Sequence, residues 1–226
     1  YTDGIERINI ELSIGNKLRL IDALADVLAA VERGDLALGK VGDSEMDRLP
    51  AGELLPERLT LARGLLDQTR ARWQWLQTLL DEPLASARPG LGSVALGQHQ
   101  NALDERLRAE SDATLFRLLQ DRTIRVSWKI ELRAPLADIF SGSAFAPVLI
   151  ALDEAHKRVL RSRVFVALHM HAGDGNVHTN LPVNSDDYGM LQEANAAVAR
   201  IMALARSLDG VISGEHGIGI TKMEYL

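Results

Sequence analysis

The sequence has 226 residues, enough for one large domain or two small ones, and its 46% hydrophobic and 25% charged residues are a globular composition. A net charge of −6 without a basic stripe argues against nucleic-acid binding, and the absence of cysteine excludes disulfides, thiolate metal ligands and a cysteine nucleophile from this sequence. No apolar run reaches the ~18 residues of a membrane span and no signal peptide is recognisable, so we expect a cytoplasmic protein, with peripheral membrane association as an alternative.

The first half of the sequence has helical periodicity. Residues 18–35 carry apolar side chains on one face, and Gly34 is placed to end that helix. A Pro- and Gly-containing stretch, residues 82–97, separates a second helix from a third one within residues 102–120. We expect residues 1–121 to be a mainly helical region, either an insertion or an interaction region. The stripe of the second helix is Leu59, Ala62, Leu66, Thr69, Trp73, Leu76 and Leu80.

After residue 121 the periodicity changes from helical to alternating. Residues 122–132 alternate apolar and polar side chains, as a half-buried strand does. A helix around Leu152, strands at 164–171 and 176–183, a helix capped by Ser185 and a short strand at 210–213 follow. This order predicts an α+β domain over residues 122–226 with a ferredoxin-like β-α-β-β-α-β sheet.

The ends of the sequence predict a piece of a longer polypeptide. It starts at Tyr1 and stops where the pattern predicts the start of a further helix, so we expect the 122–226 domain to be truncated at its C-terminus.

The segment HMHAGDGNVH, residues 169–178, places three of the six histidines around a turn-forming Asp-Gly pair. If Asp174 and Gly175 are the central residues of a type I′ turn, His171 lies opposite His178. His169 then lies opposite Asn180. Opposed side chains share a face of the hairpin, so two imidazoles can converge on one cation. A surface hairpin with a chance cluster of histidines is the alternative.

A second segment, SGEHGIG at residues 213–219, places Glu215 and His216 in a glycine-rich loop. Two histidines and one carboxylate leave a coordination position open, which is typical of catalytic metal sites. The spacing of the glycines is wrong for a dinucleotide-binding fingerprint. An ordinary strand-to-helix loop is the alternative interpretation of this segment.

Together, HAGDGNVH and SGEHGIG resemble the C-terminal cap domain of FAD-linked 2-hydroxyacid dehydrogenases, the D-lactate dehydrogenase, glycolate oxidase and D-2-hydroxyglutarate dehydrogenase type, in the vanillyl-alcohol oxidase superfamily. The resemblance covers about residues 122–226. It implies that His171, His178 and Glu215 are ligands of a divalent metal, usually zinc. The remaining implied roles are a catalytic base at His216 and substrate binding by Asn180 and Lys129.

The resemblance also implies FAD as the cofactor, bound mainly by a flavin domain of the same polypeptide that this sequence lacks. The implied partners are a small 2-hydroxy acid and an electron-transfer partner, and we expect this chain alone to be inactive. Arg122 and Thr123 do not have the spacing expected of substrate-binding residues, so the identity of the 2-hydroxy acid stays open. Two alternatives are a flavin-independent metal-dependent hydrolase or lyase and a non-catalytic regulatory or interaction module.

Overall fold

The computed structural model describes residues 1–39, 51–91, 100–110, 112–171, 173, 175–212, 217 and 223. This part of the chain is mostly helical and carries one antiparallel sheet of two strands, so the fold class is α+β. None of the helices described is long and apolar enough to cross a membrane. In chain order the elements are α1 (Thr2–Glu32), α2 (Ala51–Thr78), α3 (Leu84–Leu91), α4 (Gln100–Ala109), α5 (Leu115–Gln120), a π-helical turn (Lys129–Arg133), α6 (Ala134–Ile139), a 3₁₀ turn (Ser143–Phe145), α7 (Ala146–Arg161), β1 (Ala167–His171), β2 (Asn176–Asn180) and α8 (Tyr188–Ser207).

The chain packs as two compact units. Residues 1–13 and 162–226 form the first, which we call the hairpin unit because it contains β1 and β2. Residues 14–161 form the second, the helical unit. The long helix α1 contributes its first turns to the hairpin unit and its remaining turns to the helical unit. The predicted division into regions 1–121 and 122–226 stays a prediction.

The helices of the helical unit confirm the helical structure that was predicted for the first half of the sequence. Gly34, two residues beyond α1, has a φ of +78°, the left-handed backbone in which glycine commonly ends a helix. The helix predicted within residues 102–120 is divided into α4 and α5, and the Thr114 side chain caps the start of α5. The side chains that α2 buries are those of the predicted stripe, Leu59, Ala62, Leu66, Thr69, Trp73 and Leu76.

The strand predicted at residues 122–132 is wrong. Residues 122–127 form turns and irregular backbone, and the π-helical turn at Lys129–Arg133 leads directly into α6. The side chain of Ser127 accepts a 3.3 Å hydrogen bond from the Ile130 N–H, and the Glu131 carboxylate accepts a 2.6 Å bond from the Ser127 N–H. The two bonds give partners to backbone N–H groups that have none at the start of a helix, as a capping box does. Residues 127–131 therefore form the start of a helix.

Contacts with other helices hold the same segment in place. The Glu131 carboxylate lies 2.8 Å from the Arg72 guanidinium and accepts a 3.2 Å hydrogen bond from the indole N–H of Trp73. The Trp128 ring stacks on the His156 ring of α7, with centroids 4.7 Å apart and planes 13° apart. These tertiary contacts override the alternating pattern, and the first strand of the predicted ferredoxin-like sheet is absent from the described residues.

In the hairpin unit, α8 and the first turns of α1 share one core. On one face of the hairpin, Leu168 of β1 packs against this core. The Asn9 side chain of α1 accepts a 2.8 Å hydrogen bond from the Val166 N–H and donates a 2.9 Å bond to the Val166 carbonyl. Asn9 thereby fixes the chain just before β1. The buried core residues are Ile5, Ile8, Leu12, Val164, Val166, Met190, Ala194, Ala197 and Ile201.

Helix α8 ends before a segment in which we predicted a strand. The Gly210 N–H donates a 2.9 Å hydrogen bond to the Ala205 carbonyl, which closes the end of the helix. Residues 210–212 do not form the strand predicted at 210–213, since this donor serves the helix and Val211 is 82% exposed. Ser213 lies outside the described residues.

Candidate functional site

The hairpin has a longer connection than the sequence suggested. β1 ends at His171 and β2 begins at Asn176, so residues 172–175 connect the strands instead of a two-residue turn. Gly175 has a φ of +71°, a backbone conformation that glycine adopts without strain. Asp174 lies outside the described residues.

The longer connection changes which residues are opposed. His169, and not His171, lies directly opposite His178, and His171 lies opposite Asn176. The predicted pairing of His171 with His178 is therefore wrong, as is that of His169 with Asn180, because Ala167 takes the place opposite Asn180. The register differs by two residues, and side chains alternate with a period of two, so the predicted face is unchanged.

One face of the hairpin carries three histidines, and we call it the histidine face. Its residues are Ala167, His169, His171, Asn176, His178 and Asn180. The other face carries Leu168, Met170, Val177 and Thr179, and Leu168 packs against the core. The histidine face therefore points away from that core. Its three rows, starting at the turn, are His171 with Asn176, His169 with His178, and Ala167 with Asn180.

The rings of His171 and His178 lie close together, although the two residues are diagonal neighbours. Their centroids are 5.4 Å apart and their planes are inclined by 76°. When two imidazoles bind the same tetrahedral zinc ion, each through a nitrogen at ~2.0–2.1 Å, their ring centroids lie about 5 Å apart. His171 is exposed and His178 is half-buried, so the pair is accessible from solvent. The ring arrangement fits a pair of metal ligands.

Two further members of the predicted metal site belong to the glycine-rich segment at 213–219. Glu215 and His216, the predicted third ligand and the predicted base, lie outside the described residues. Among the residues that the structure does describe, no group of three or more His, Asp or Glu side chains could hold a metal ion. The described part of the site is thus a pair of imidazoles.

Asn180 lies at the far end of the histidine face from the turn. It is exposed, and it lies on the same strand as His178 with one residue between them. Together with His178 it lines a pocket of about 670 Å³ that runs along β2. Its lining also includes apolar residues of α8, among them Val198, Met202 and Ala205. The two predicted site residues of β2 therefore border the same surface depression.

Lys129 lies in the helical unit, at the first position of the π-helical turn. Its side chain is exposed. The part of the predicted strand that carries Lys129 is helical, and the role of Lys129 in substrate binding stays a prediction.

Sequence reasoning missed two residues that shape the surroundings of the site. Asn9 holds the chain before β1 by hydrogen bonds to both backbone polar groups of Val166. In the sequence, Asn9 is a polar residue beside an apolar stripe, formed by Ile5, Ile8 and Leu12. Asp187 caps α8 by accepting a 2.9 Å hydrogen bond from the Met190 N–H, where the sequence suggested Ser185. Asp187 is a strong N-cap residue by type, so the sequence did contain a signal.

Comparisons with known proteins agree with the position of the two motifs. The sequence profile of the family described as FAD linked oxidases, C-terminal domain, matches residues 99–226, more than half of the chain. No solved structure matches the chain.

Several curated proteins are similar to parts of the chain. The mitochondrial D-lactate dehydrogenase (cytochrome) of Arabidopsis thaliana is 25% identical over 152 residues, which are 60% of this chain and 26% of that protein. A D-lactate dehydrogenase of Anaerostipes hadrus is 44% identical over 57 residues, 25% of this chain and 12% of that protein. The glycolate oxidase subunit GlcD of Bacillus subtilis is 39% identical over 56 residues, also 25% of this chain and 12% of that protein. The chain spans about a quarter or less of the length of these relatives, and the profile match over residues 99–226 shows that it belongs to the family of C-terminal domains of FAD linked oxidases.

Proposed function

We propose that this chain is the metal- and substrate-binding part of an FAD-linked dehydrogenase that oxidises a small 2-hydroxy acid. The family supports an FAD-linked oxidase, and relatives named D-lactate dehydrogenase and glycolate oxidase support the substrate class. The single observation that carries the proposal is the pair of imidazoles on the histidine face, with centroids 5.4 Å apart.

In this proposal His171 and His178 hold a divalent cation, zinc, together with Glu215. When bound, the cation would act as a Lewis acid that stabilises negative charge on the substrate hydroxyl oxygen. FAD, held mainly by another domain of the same polypeptide, would supply the redox capacity for oxidation. An electron-transfer partner would reoxidise it.

The other proposed residues bind the substrate or move its proton. Asn180 borders the pocket and is exposed, so its side-chain amide can donate a hydrogen bond to the substrate carboxylate. For Lys129 the family resemblance suggests a role as a cationic donor to the substrate. His216, next to Glu215 in the sequence, accepts the proton of the substrate hydroxyl, a role that suits a neutral imidazole near physiological pH.

The metal site is tested by measuring the zinc content of the purified chain by elemental mass spectrometry. We expect roughly one zinc ion per chain in the native protein, as a three-ligand site holds a single ion. His171→Ala and His178→Ala should each lose most of the zinc, since either change removes one imidazole of the pair. The matched control is His156→Phe, which removes a histidine from the helical unit and keeps an aromatic ring beside Trp128.

Two results would contradict the proposed site. One is a folded chain that neither copurifies with zinc nor binds it on titration. The other is zinc that is retained in both hairpin variants or lost equally in the His156→Phe control. A metal site with turnover by this chain alone, without flavin, would instead favour the hydrolase or lyase interpretation.

A further inference from the structure

The observed register gives His169 a position that the sequence did not indicate. His169 lies directly opposite His178 in the middle row of the histidine face, between the row of His171 and the row of Asn180. The His178 ring contacts the ring of His171, its diagonal neighbour toward the turn. His169 therefore lies on the side of the His171–His178 pair that is nearer to the row of Asn180.

The surroundings of His169 leave room for a ligand. Its side chain is exposed, and it forms no hydrogen bond or ion pair with another residue that the structure describes. The side chain of Asn180 is exposed as well. The residue that completes the last row is Ala167, whose methyl group fills little of the space beside the two polar side chains. Two hydrogen-bond donors therefore flank a small open area on the hairpin surface.

We propose that His169 binds the carboxylate of the substrate together with Asn180 and so selects acids over their uncharged analogues. This inference rests on the proposed function of the hairpin. Successive rows on one strand face are about 7 Å apart. A metal–oxygen bond of ~2 Å to the substrate hydroxyl, the short step from that hydroxyl to the adjacent carboxylate, and a hydrogen bond of ~2.8 Å to the next row together span this distance. An imidazole N–H bonded to a carboxylate forms a charge-assisted hydrogen bond, stronger than one between neutral groups.

The geometry favours this role for His169 over that of a third metal ligand. The described residues contain no group of three His, Asp or Glu side chains that could share an ion. The ring contact on the histidine face joins His171 to His178, so the His178 imidazole is directed toward His171. The ring of His169 remains available to the substrate.

The test is a titration of the zinc-loaded chain with D-lactate, followed by NMR. We expect His169→Phe to weaken D-lactate binding at least roughly tenfold, because it removes a charge-assisted hydrogen bond while keeping a ring of similar size. His169→Gln, which keeps a donor, should restore binding to within about threefold of the native chain. Zinc content should be unchanged in both variants. Lactamide, which lacks the carboxylate charge, should bind the native chain and His169→Phe equally.

Every other outcome overturns this inference, and one of them also overturns the proposed function. Loss of zinc in His169→Phe would make His169 a metal ligand and overturn the inference. A zinc-loaded native chain that does not bind D-lactate, or binds it equally in His169→Phe, would overturn the inference and leave the metal site standing. A folded native chain that binds no zinc would overturn the proposed function and this inference together. Unchanged helical circular dichroism establishes that each variant is folded.

Discussion

At the scale of single residues, the start of α8 depends on one carboxylate. Asp187 accepts a 2.9 Å hydrogen bond from the Met190 N–H, one of the helix donors that lack a partner within the helix. Asp187→Ala should lower the free energy of unfolding by about 1 kcal/mol, a typical effect of removing an N-cap side chain. Urea denaturation followed by circular dichroism measures this loss.

A neighbouring serine provides the control for this prediction. Ser185 precedes Asp187 by two residues and was the cap that the sequence suggested, but the structure assigns the capping bond to Asp187. Ser185→Ala should therefore change the free energy of unfolding by less than about 0.5 kcal/mol, as expected of a surface substitution. A larger loss in Ser185→Ala than in Asp187→Ala would show that the helix begins at Ser185.

At the scale of secondary-structure elements, we expect the contact between α7 and the segment before α6 to depend on pH. His156 is half-buried and stacks on Trp128. Burial lowers the pKa of His156 from its ordinary value of 6.5, Asp153 acts in the opposite direction, and Lys17 lowers the pKa further. Because the pKa is lower in the folded state, the unfolded state binds this proton first as the pH falls.

The consequence is a loss of stability on the acidic side of neutrality. The free energy of unfolding should fall as the pH decreases from about 7 through 6.5, and this contribution should level off below the folded-state pKa. His156→Phe keeps the stacked ring and has no group that titrates there, so its stability should depend less on pH. Urea unfolding at several pH values, followed by tryptophan fluorescence, compares the two proteins. Equal pH dependence in both would refute this explanation.

The same elements show which parts of the fold a sequence can reveal. The stripe of α2 was predictable because burial of one helix face imposes a period that the side chains must follow. The helix that replaces the strand predicted at 122–132 was not, because the stacking of Trp128 on His156 and the ion pair of Glu131 with Arg72 are tertiary contacts that the alternation of apolar and polar residues does not reveal.

The hairpin was predictable in part. Its position and the composition of the histidine face follow from the alternation along the strands. Its register does not, because the number of residues in the connection sets the pairing, and hairpins use connections of four residues as well as two. The contact of His171 with His178 was predicted, although the reason given for it, direct opposition, was wrong.

At the scale of the whole molecule, the two units have different expected roles. The hairpin unit contains the paired imidazoles and the pocket along β2, so metal and substrate should act on this unit. The helical unit contains His156, whose ring stacks on Trp128 and which has no place in the proposed site. Among the six histidines of the chain, metal binding should therefore distinguish those of the hairpin pair from the others.

The most direct test of the account is a zinc titration of the chain labelled with ¹⁵N, recorded as long-range ¹H–¹⁵N spectra of the imidazole rings. We predict that zinc changes the ring-nitrogen shifts of His171 and His178 as expected for coordination, saturates at roughly one equivalent and leaves the rings of His156 and His169 uncoordinated. Coordination through His169 in place of His171, or rings of His171 and His178 that do not respond to zinc, would contradict the account.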